Sequence, residues 1–519
     1  LCWDGGVAAA AVEPYSESEA GTIRNGVFAA LPDAFGISLG YTNDPTTFKN
    51  RSTPAPSTRS MACKAQTSGR IYLHSGPRTE LHEIIRQEYA RHQDRAVPRN
   101  TLRQAVQGML DTFAYQNFDA AAGEYTNRCC RPPRETEMRP WRLVTEIGWT
   151  GGGVLAYPLV LCRDALGADA EAPLAAAMSG EQLFDRIADA YNENSGLLND
   201  LMAPNAAGSQ VNGWWTGYGL VKDCHCAYTV GSAVHYLTKT MDYLHQNGKP
   251  CPAKWMDAAQ KVLHTVMDLQ RADGAFGYTY STQERRVLDW SGFAGCWFAP
   301  ALVYLYRLTG EERCLHSAEK ALDYYHTFVK DLNCYGTPMD TWKAVDEEGN
   351  LAFMRGSRLL YEQTGKAEFL QYMKDSAGYE FLWRYGYKTY PEHTPLNQGW
   401  SACGGAVTSV SNPHIHPMGV IIDTDLRYLA RVTGDGYYAS RAADSAAWML
   451  QCLELYPAAT GYGRYGILSE RWCPSDGLDV ERFSDGRPFS SWFSHNLWAS
   501  ACVLEAACEL LLESEHKKG

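Results

Sequence analysis

Apolar residues recur at helical spacing through most of the chain beyond residue 100. Trp255, Ala259, Val262 and Val266, for example, form a single stripe. Because positions i, i+3, i+4 and i+7 lie on one face of an α-helix, such stripes predict amphipathic helices that pack against a common core. The pattern predicts twelve helices, near residues 101–115, 143–165, 179–193, 217–247, 253–270, 293–308, 312–330, 349–364, 366–384, 417–432, 436–453 and 492–513.

A Thr-Gly pair stands between two predicted helices at three places in the chain. The pairs are Thr309-Gly310, Thr364-Gly365 and Thr433-Gly434, spaced by 55 and then 69 residues. Glycine just beyond a periodic segment commonly ends a helix, because it accepts the left-handed backbone conformation. We therefore predict helical hairpins with tight turns, joined to one another by much longer loops.

Twelve helices in hairpins favour a closed (α/α)6 toroid, with an inner and an outer ring of helices. An open superhelical array is the alternative, and such an array ends in a helix with a polar outer face. The last predicted helix contains LWASACVLEAACELLL, which is too apolar for that role. We therefore predict a mainly α chain with a closed toroid over residues 98–514.

The first ninety residues have a different pattern from the rest. Short apolar runs such as GTIRNGVFAAL alternate with Gly, Pro, Asn, Asp and Ser, which is typical of strands and turns. We predict a small β-rich domain over residues 1–90, or the remnant of a truncated one. The chain opens on Leu1 and not on Met, so a processed or shortened N-terminus is expected.

Composition narrows the partners that the protein can have. The formal charge of −12 argues against nucleic acid, whose phosphates require a basic face. No apolar stretch is long enough to span a bilayer, so no membrane partner is expected. Many of the sixteen cysteines fall inside helical patterns, where cysteine acts as a small buried hydrophobe. We expect reduced thiols, a cytoplasmic location and the capacity to form a homo-oligomer.

The direction of the hairpins predicts where the site lies. If the helix before each Thr-Gly pair is an inner one, the long loops lead into the N-terminal ends of the inner helices. Those ends carry unpaired amides and a partial positive potential, which suits hydroxyl-rich or anionic ligands.

Aromatic and acidic residues are concentrated in these long loops. The candidate catalytic carboxyl groups are Asp340, Asp289, Glu470 and Glu146. The candidate aromatic binding residues are Trp215, Trp290, Trp342, Trp400, Trp472 and Tyr335. Indole planes among carboxylates suit sugars, which present C–H faces and hydroxyls, and glycoside hydrolysis needs two flanking carboxyl groups. A loop tryptophan can equally be a packed anchor, and a loop aspartate an N-cap.

An H-x-H pair marks the loop before the predicted helix at 417–432. His414 and His416 lie between Pro413 and Pro417, which stiffen the segment. Metal ligation, proton transfer and substrate binding all remain open for the pair. Arg471 is a candidate for bidentate recognition of a substrate carboxylate, although a surface ion pair is the simpler interpretation.

Cys129-Cys130 and Cys224-x-Cys226 are patterns that zinc can use. A zinc-thiolate site of the kind found in β-L-arabinofuranosidases would need the Cys-x-Cys pattern first and the Cys-Cys pattern later, and here the order is reversed. We therefore predict no metal and no cofactor.

On these motifs the chain resembles the six-hairpin glycosidase group over approximately residues 100–514. The resemblance rests on the YRLTGEERCL-type turns, on LQRADGAFGYTYS and on the aromatic loops. It implies an (α/α)6 toroid, often preceded by a β domain, and an enzyme of sugar chemistry. The group includes glucuronidases, unsaturated glucuronyl hydrolases, polysaccharide lyases and sugar epimerases.

Our first functional prediction is an exo-acting glycoside hydrolase on an oligo- or polysaccharide that ends in a uronic acid, as in a β-glucuronidase. Asp340 or Glu470 would protonate the leaving oxygen, and Asp289 or Glu146 would activate water or attack the anomeric carbon. The histidines and Arg471 would bind the sugar carboxylate. The alternatives are a lyase or epimerase with His414 or His416 as the base, and a glycan-binding protein without turnover.

Overall fold

A computed structural model describes most of the chain beyond residue 80. Before that point it gives seven strands, between residues 2 and 74. From there on, the described residues are 80–92, 95–129, 139–141, 147, 152–200, 213–216, 219–337, 343–388, 400–410, 412–453, 455, 466, 468–470, 472, 494–495 and 497–516.

Fourteen α-helices fall within the described residues. They are α1 (Leu81–Tyr89), α2 (Leu102–Thr112), α3 (Gly153–Leu166), α4 (Glu171–Ala176), α5 (Gly180–Asp189), α6 (Ala227–Gln246), α7 (Ala253–Asp268), α8 (Phe298–Thr309), α9 (Glu312–Lys330), α10 (Glu348–Thr364), α11 (Ala367–Trp383), α12 (Asp423–Thr433), α13 (Gly436–Cys452) and α14 (Leu497–His516). None of them is long and apolar enough to cross a lipid bilayer.

Six of these helices form a closed inner ring. Successive neighbours in the ring pack together in the order α3, α6, α8, α10, α12 and α14, and α14 packs back against α3. A second set, α2, α5, α7, α9, α11 and α13, packs on the outside of the ring. The chain is therefore an (α/α)6 toroid, as predicted from the hairpin pattern.

The inner and outer helices differ in how much of their circumference is buried. Inner α8 is buried continuously from Phe298 to Leu305, whereas outer α9 buries a stripe that includes Cys314, Ala318 and Tyr325. A helix with neighbours on all sides has to be apolar all round, whereas an outer helix needs one apolar face. This difference explains why the 3.6-residue periodicity is clearer in α9 than in α8.

The Thr-Gly turns close one end of the toroid, called the turn face below. Gly310, Gly365 and Gly434 all adopt the left-handed conformation, with φ of 73°, 64° and 68°. Each preceding threonine bonds back to the carbonyl four residues earlier, as Thr364 Oγ1 does to Leu360 O at 2.7 Å. The same hydroxyl accepts the amide two residues later, as from Lys366 at 3.2 Å. The hairpin direction that we predicted is therefore confirmed.

Short antiparallel strands occupy the opposite end, called the loop face, together with the N-terminal region. The strands are β1 (Cys2–Trp3), β2 (Gly6–Val12), β3 (Ser16–Ser18), β4 (Gly21–Ile23), β5 (Gly26–Leu31), β6 (Ala34–Leu39), β7 (Gly69–His74), β8 (Phe118–Asp119), β9 (Glu124–Tyr125), β10 (Asn127–Cys129), β11 (Arg139–Trp141), β12 (Tyr191–Asn192), β13 (Leu197–Leu198), β14 (Gly213–Thr216), β15 (Gly219–Lys222), β16 (Cys224–Cys226), β17 (Thr279–Ser281), β18 (Val287–Asp289), β19 (Ala406–Ser409), β20 (Asn412–His416) and β21 (Ser494–His495). Strands β16, β17 and β18 form one sheet, and β19 pairs with β20.

Some helix boundaries differ from the predicted ones, and tertiary pairing accounts for one of them. The helix predicted from residue 217 begins at Ala227, because β16 pairs with β17 immediately before it. The helix predicted from 143 begins at Gly153, and α12 is preceded by a 3-10 turn over Met418–Ile422. The short α4 was not predicted.

Candidate functional site

The loop face brings an acidic segment and a histidine strand to either side of β19. The Glu347 amide donates to Thr408 O at 2.8 Å, and Asp346 forms an antiparallel β-bridge with Ser409. On its other side β19 pairs with β20, where Ala406 lies opposite His416. The start of α10 and the H-x-H strand are thus held side by side at the mouth of the toroid.

Asp346 caps the start of α10 from a fully buried position. Its two oxygens accept the amides of Gly349 and Thr337, each at 3.1 Å. Burial outweighs these hydrogen bonds and raises the pKa of the Asp346 carboxyl to about 7. The group therefore titrates near neutral pH without contacting solvent.

Glu347 lies against a second buried carboxyl group, Glu380. Burial, and then the Glu380 charge, hold the pKa of Glu347 well above its ordinary value. No donor among the described residues reaches either Glu347 oxygen. Arg384 binds Glu380 at 2.7 Å and Asp423 at 2.9 Å, so the cation nearest to the pair bonds Glu380 and not Glu347.

Glu348, the third acidic residue, points toward the toroid axis. It accepts a hydrogen bond from the Tyr228 hydroxyl on α6 and interacts electrostatically with Cys502 on α14. Because α6 is not a ring neighbour of α10, the hydrogen bond to Tyr228 directs the Glu348 side chain toward the toroid axis.

Aromatic side chains pack around Tyr228, the partner of Glu348, and His416 stacks on a tryptophan at the start of α14. Tyr228 packs on Trp297 with ring centroids 5.7 Å apart, and its hydroxyl lies 3.6 Å from Met418 Sδ. His416 stacks on Trp498 at 6.1 Å and 22°. We call the set of Tyr228, Trp297, Glu348, His416, Met418 and Trp498 the axial cluster.

The tautomer of neutral His416 is fixed by its own strand. Nδ1 lies 2.9 Å from the backbone oxygen of His414. A carbonyl oxygen can only accept, so Nδ1 carries the hydrogen. The lone pair of neutral His416 therefore lies on Nε2.

A buried Ser-His-Asp chain lies next to the start of α6. His225 Nδ1 is 2.8 Å from Asp200 Oδ2, and His225 Nε2 is 2.9 Å from Ser195 Oγ. Ser195 also accepts the Leu197 amide at 3.2 Å, and all three side chains are buried. With its hydroxyl already bonded on both sides, the serine links the 195–200 segment to β16.

The predicted acid Asp289 is part of an ion pair at the end of β18. Its carboxylate lies 2.5 Å from Lys343 Nζ and also accepts from Ser291. Burial acts to raise its pKa, but the hydrogen bond from Lys343 helps to outweigh burial and lowers the pKa. Neighbouring Trp290 is half-buried, with the Arg271 guanidinium 5.2 Å from its ring.

Two predicted platform tryptophans are packed inside the protein. Trp400 and Trp472 are each 3% exposed, and Trp472 meets Trp448 edge to face at 5.3 Å. Trp472 pairs with Ile415 through two backbone hydrogen bonds of 2.9 Å, which places buried Glu470 near the H-x-H strand. Tyr335 is half-buried and packs on Phe328.

The remaining predicted site residues lie outside the described residues. These are Asp340, Trp342, Glu146, Arg471 and the side chain of Trp215. Their roles stay predictions.

Sequence reasoning did not select Asp346, Glu347 and Glu348 as site residues. Acidic residues are common in the first turn of any helix, where they complement the helix dipole. Three consecutive acidic residues at the start of an inner helix are the signal that could have identified them.

In the described part of the chain, neither cysteines alone nor cysteines together with other side chains form a metal-binding site. No group of three His, Cys, Asp or Glu side chains is close enough there to hold an ion. Burial raises the pKa of the Cys224 thiol to about 11, so the thiol stays protonated at neutral pH.

Solved structures with the same fold are enzymes that act on sugars. A D-mannose isomerase matches at 11% identity and a TM-score of 0.50, over 80% of this chain and 97% of that one. A family 76 glycoside hydrolase from a bovine Bacteroides thetaiotaomicron strain matches at 11% and 0.50, over 86% and 81%. The cellobiose 2-epimerase of Spirochaeta thermophila matches at 12% and 0.50, over 85% and 100%. No protein-family model and no curated protein sequence matches the chain.

These likenesses define the class of fold. The chain is an (α/α)6 toroid of the kind found in six-hairpin glycosidases and sugar epimerases. At such low identity the likeness extends to the fold alone.

Proposed function

We propose that the protein is a carbohydrate-active enzyme whose site lies on the loop face, and that it hydrolyses glycosidic bonds. The observation that carries the proposal is Glu348, a carboxyl group that points toward the toroid axis and bonds Tyr228, which packs on Trp297. Aromatic rings pack on the apolar faces of sugars, and a carboxyl group beside them can transfer a proton to a glycosidic oxygen.

Glu348 is our candidate for the general acid. Glycoside hydrolysis requires a second carboxyl group, and buried Glu470 lies beside the H-x-H strand on the same face. Asp340, Asp289 and Glu146 remain further candidates from the sequence. The fold neighbours support sugar chemistry, since one of them is a glycoside hydrolase.

We further propose that the substrate ends in a uronic acid. His414, His416 and Arg471 would bind the sugar carboxylate, because imidazolium and guanidinium groups suit such a partner. Both histidines are buried at the loop face, one strand away from the acidic start of α10.

A sugar epimerase or lyase is the second candidate, and the tautomer of His416 favours it. With Nδ1 bonded to the His414 carbonyl, Nε2 is prepared to accept a proton from carbon next to a carbonyl or carboxylate. An isomerase and an epimerase are among the proteins of the same fold.

A screen on nitrophenyl glycosides, including the β-glucuronide, tests the first candidate. It should run beside uronic-acid polysaccharides monitored in the ultraviolet and beside free mannose and cellobiose monitored for new sugars. Release of nitrophenol with a kcat that collapses in Glu348→Gln, while His416→Gln mainly raises KM, would support hydrolysis. An ultraviolet product or a new epimer, lost in His416→Gln, would replace hydrolysis by the second candidate.

A further inference from the structure

A polar cavity opens at the turn face, the end of the toroid opposite the loop face. It has a volume of about 420 Å³ and is lined by the C-terminal halves of α6, α8, α10 and α14. Its rim includes Gln246 and Asn247, which are exposed. The axial cluster lies at the N-terminal ends of the same helices, so the two sites are on opposite faces.

Most of the charged groups in the wall are paired with one another. Arg307 joins Asp242 at 3.4 Å to Glu362 at 2.6 Å, and Arg358 Nη1 bonds Asp425 at 3.1 Å. Glu513 also lines the cavity and adds a further acidic group to its wall. This arrangement favours a neutral ligand over an anionic one.

Lys239 extends the pairing to the inner end of the cavity. Its ammonium group lies between Glu505 and Glu509, at 2.8 Å from the latter, and 4.2 Å from the centroid of the Tyr157 ring. Glu509 also accepts from Thr424 at 3.0 Å.

Two buried polar groups in the wall have hydrogen-bonding capacity to spare. Arg355 is 6% exposed, and its Nε and Nη2 bond Asp425 and Ile421 O, which leaves Nη1 with no partner among the described residues. Tyr304 is also 6% exposed, and its hydroxyl makes no hydrogen bond within the described part of the chain. Both side chains line the cavity, and Tyr304 interacts electrostatically with Arg355.

Donors that open into a cavity without a protein partner are met there by water or by a ligand. We propose that this turn-face cavity binds a neutral hydroxylated ligand, a mono- or disaccharide, at a site separate from the loop face. Arg355 Nη1 and the Tyr304 hydroxyl would bond sugar hydroxyls, and the Tyr157 and Tyr304 rings would pack beside the sugar. The volume falls in the range of small-molecule sites. This inference goes beyond the proposed function and does not depend on it.

Calorimetric titration of the full chain with mannose and with cellobiose tests the proposal. Tyr304→Phe removes one hydroxyl and keeps the ring, so it should weaken binding of one of these sugars about tenfold. Tyr306→Phe is the matched control, because Tyr306 lies on the same helix and its hydroxyl meets Glu312 at 3.5 Å outside the cavity. Glu348→Gln, which alters the loop face, should not change the sugar binding that Tyr304→Phe weakens.

Each other outcome would overturn the proposal. No heat with either sugar, or equal affinity in wild type and Tyr304→Phe, would leave the cavity as a hydrated ion-pair network. Binding lost in Glu348→Gln alone would belong to the loop face. If glucuronate or inorganic phosphate bound with the same sensitivity to Tyr304→Phe and displaced the neutral sugars, the ligand would be an anion. Loss of turnover in Glu348→Gln bears on the proposed function and not on this cavity.

Discussion

Three adjacent carboxyl groups at the start of α10 have three different environments. Asp346 accepts two backbone amides, Glu347 is buried against Glu380, and Glu348 points toward the axis and bonds Tyr228. The backbone turn at a helix start sends successive side chains in different directions, so neighbours in sequence acquire different chemistry. Only the third is placed to meet a ligand on the axis.

The titration of Asp346 makes stability depend on pH. Its pKa is about 7 in the folded state and about 3.9 when unfolded, so between these values the folded state binds more protons. This contribution to stability is full below about pH 4 and is lost as the pH rises toward 7. The slope is at most about 1.4 kcal/mol per pH unit for this group.

We therefore expect Asp346→Asn to flatten the fall in the free energy of unfolding between pH 5 and 7. The fall should not vanish, since burial also raises the pKa of Asp423 to about 7. Urea unfolding at pH 5, 6, 7 and 8 measures the slope, with the exposed Asp331→Asn as control. A slope equal to that of the wild type would mean that folded Asp346 is ionised at pH 5.

Gly419 is required by space beside Glu347. A β-carbon at this position would lie 2.3 Å from Glu347 Oε1 and 3.1 Å from the Ala406 β-carbon. We expect Gly419→Ala to cost about 1–3 kcal/mol in urea unfolding, as overpacking does. Gly436→Ala, where the added carbon meets open space, should be neutral or slightly stabilising. Adding Glu347→Ala to Gly419→Ala should recover part of the loss; if the two effects simply add, the contact is not the cause.

At the scale of elements, the Thr-Gly turn is the unit that sequence predicts best. Its glycine and threonine act through local backbone geometry, which is repeated at residues 309, 364 and 433. The start of α6 was predicted less well, because pairing of β16 with β17 depends on residues more than fifty positions away. The acidic start of α10 was not identified as a site for the same reason. The environment of Glu348 is set by Tyr228 and Cys502, which are distant in sequence.

The left-handed turns should be sensitive to a side chain although they have room for one. Nothing lies within 4 Å of a β-carbon added at Gly365, so the cost of Gly365→Ala is conformational, about 1–2 kcal/mol. Gly365→Asn should cost less, because asparagine tolerates this conformation. Urea unfolding of both variants measures the difference. Equal losses in the two would show that φ at this position does not limit stability.

At the scale of the whole molecule, closure of the ring depends on contacts across the axis. Lys239 on α6 bonds Glu505 and Glu509 on α14, although α3 stands between these helices in the ring. The last helix is therefore joined to the start of the ring by its packing on α3 and by a buried ion pair with α6.

We expect Lys239→Met to cost about 3–5 kcal/mol, because it leaves two carboxylates buried without their cation. Lys239→Met with Glu505→Gln should recover part of this loss, since one of the unpaired charges is gone. Lys254→Met is the control, because its pair with Asp189 at 3.3 Å is exposed and should change stability by less than about 0.5 kcal/mol. The free energies come from urea unfolding at pH 7. If Lys239→Met costs as little as the control, the packing of α14 on α3 closes the toroid without the buried ion pair.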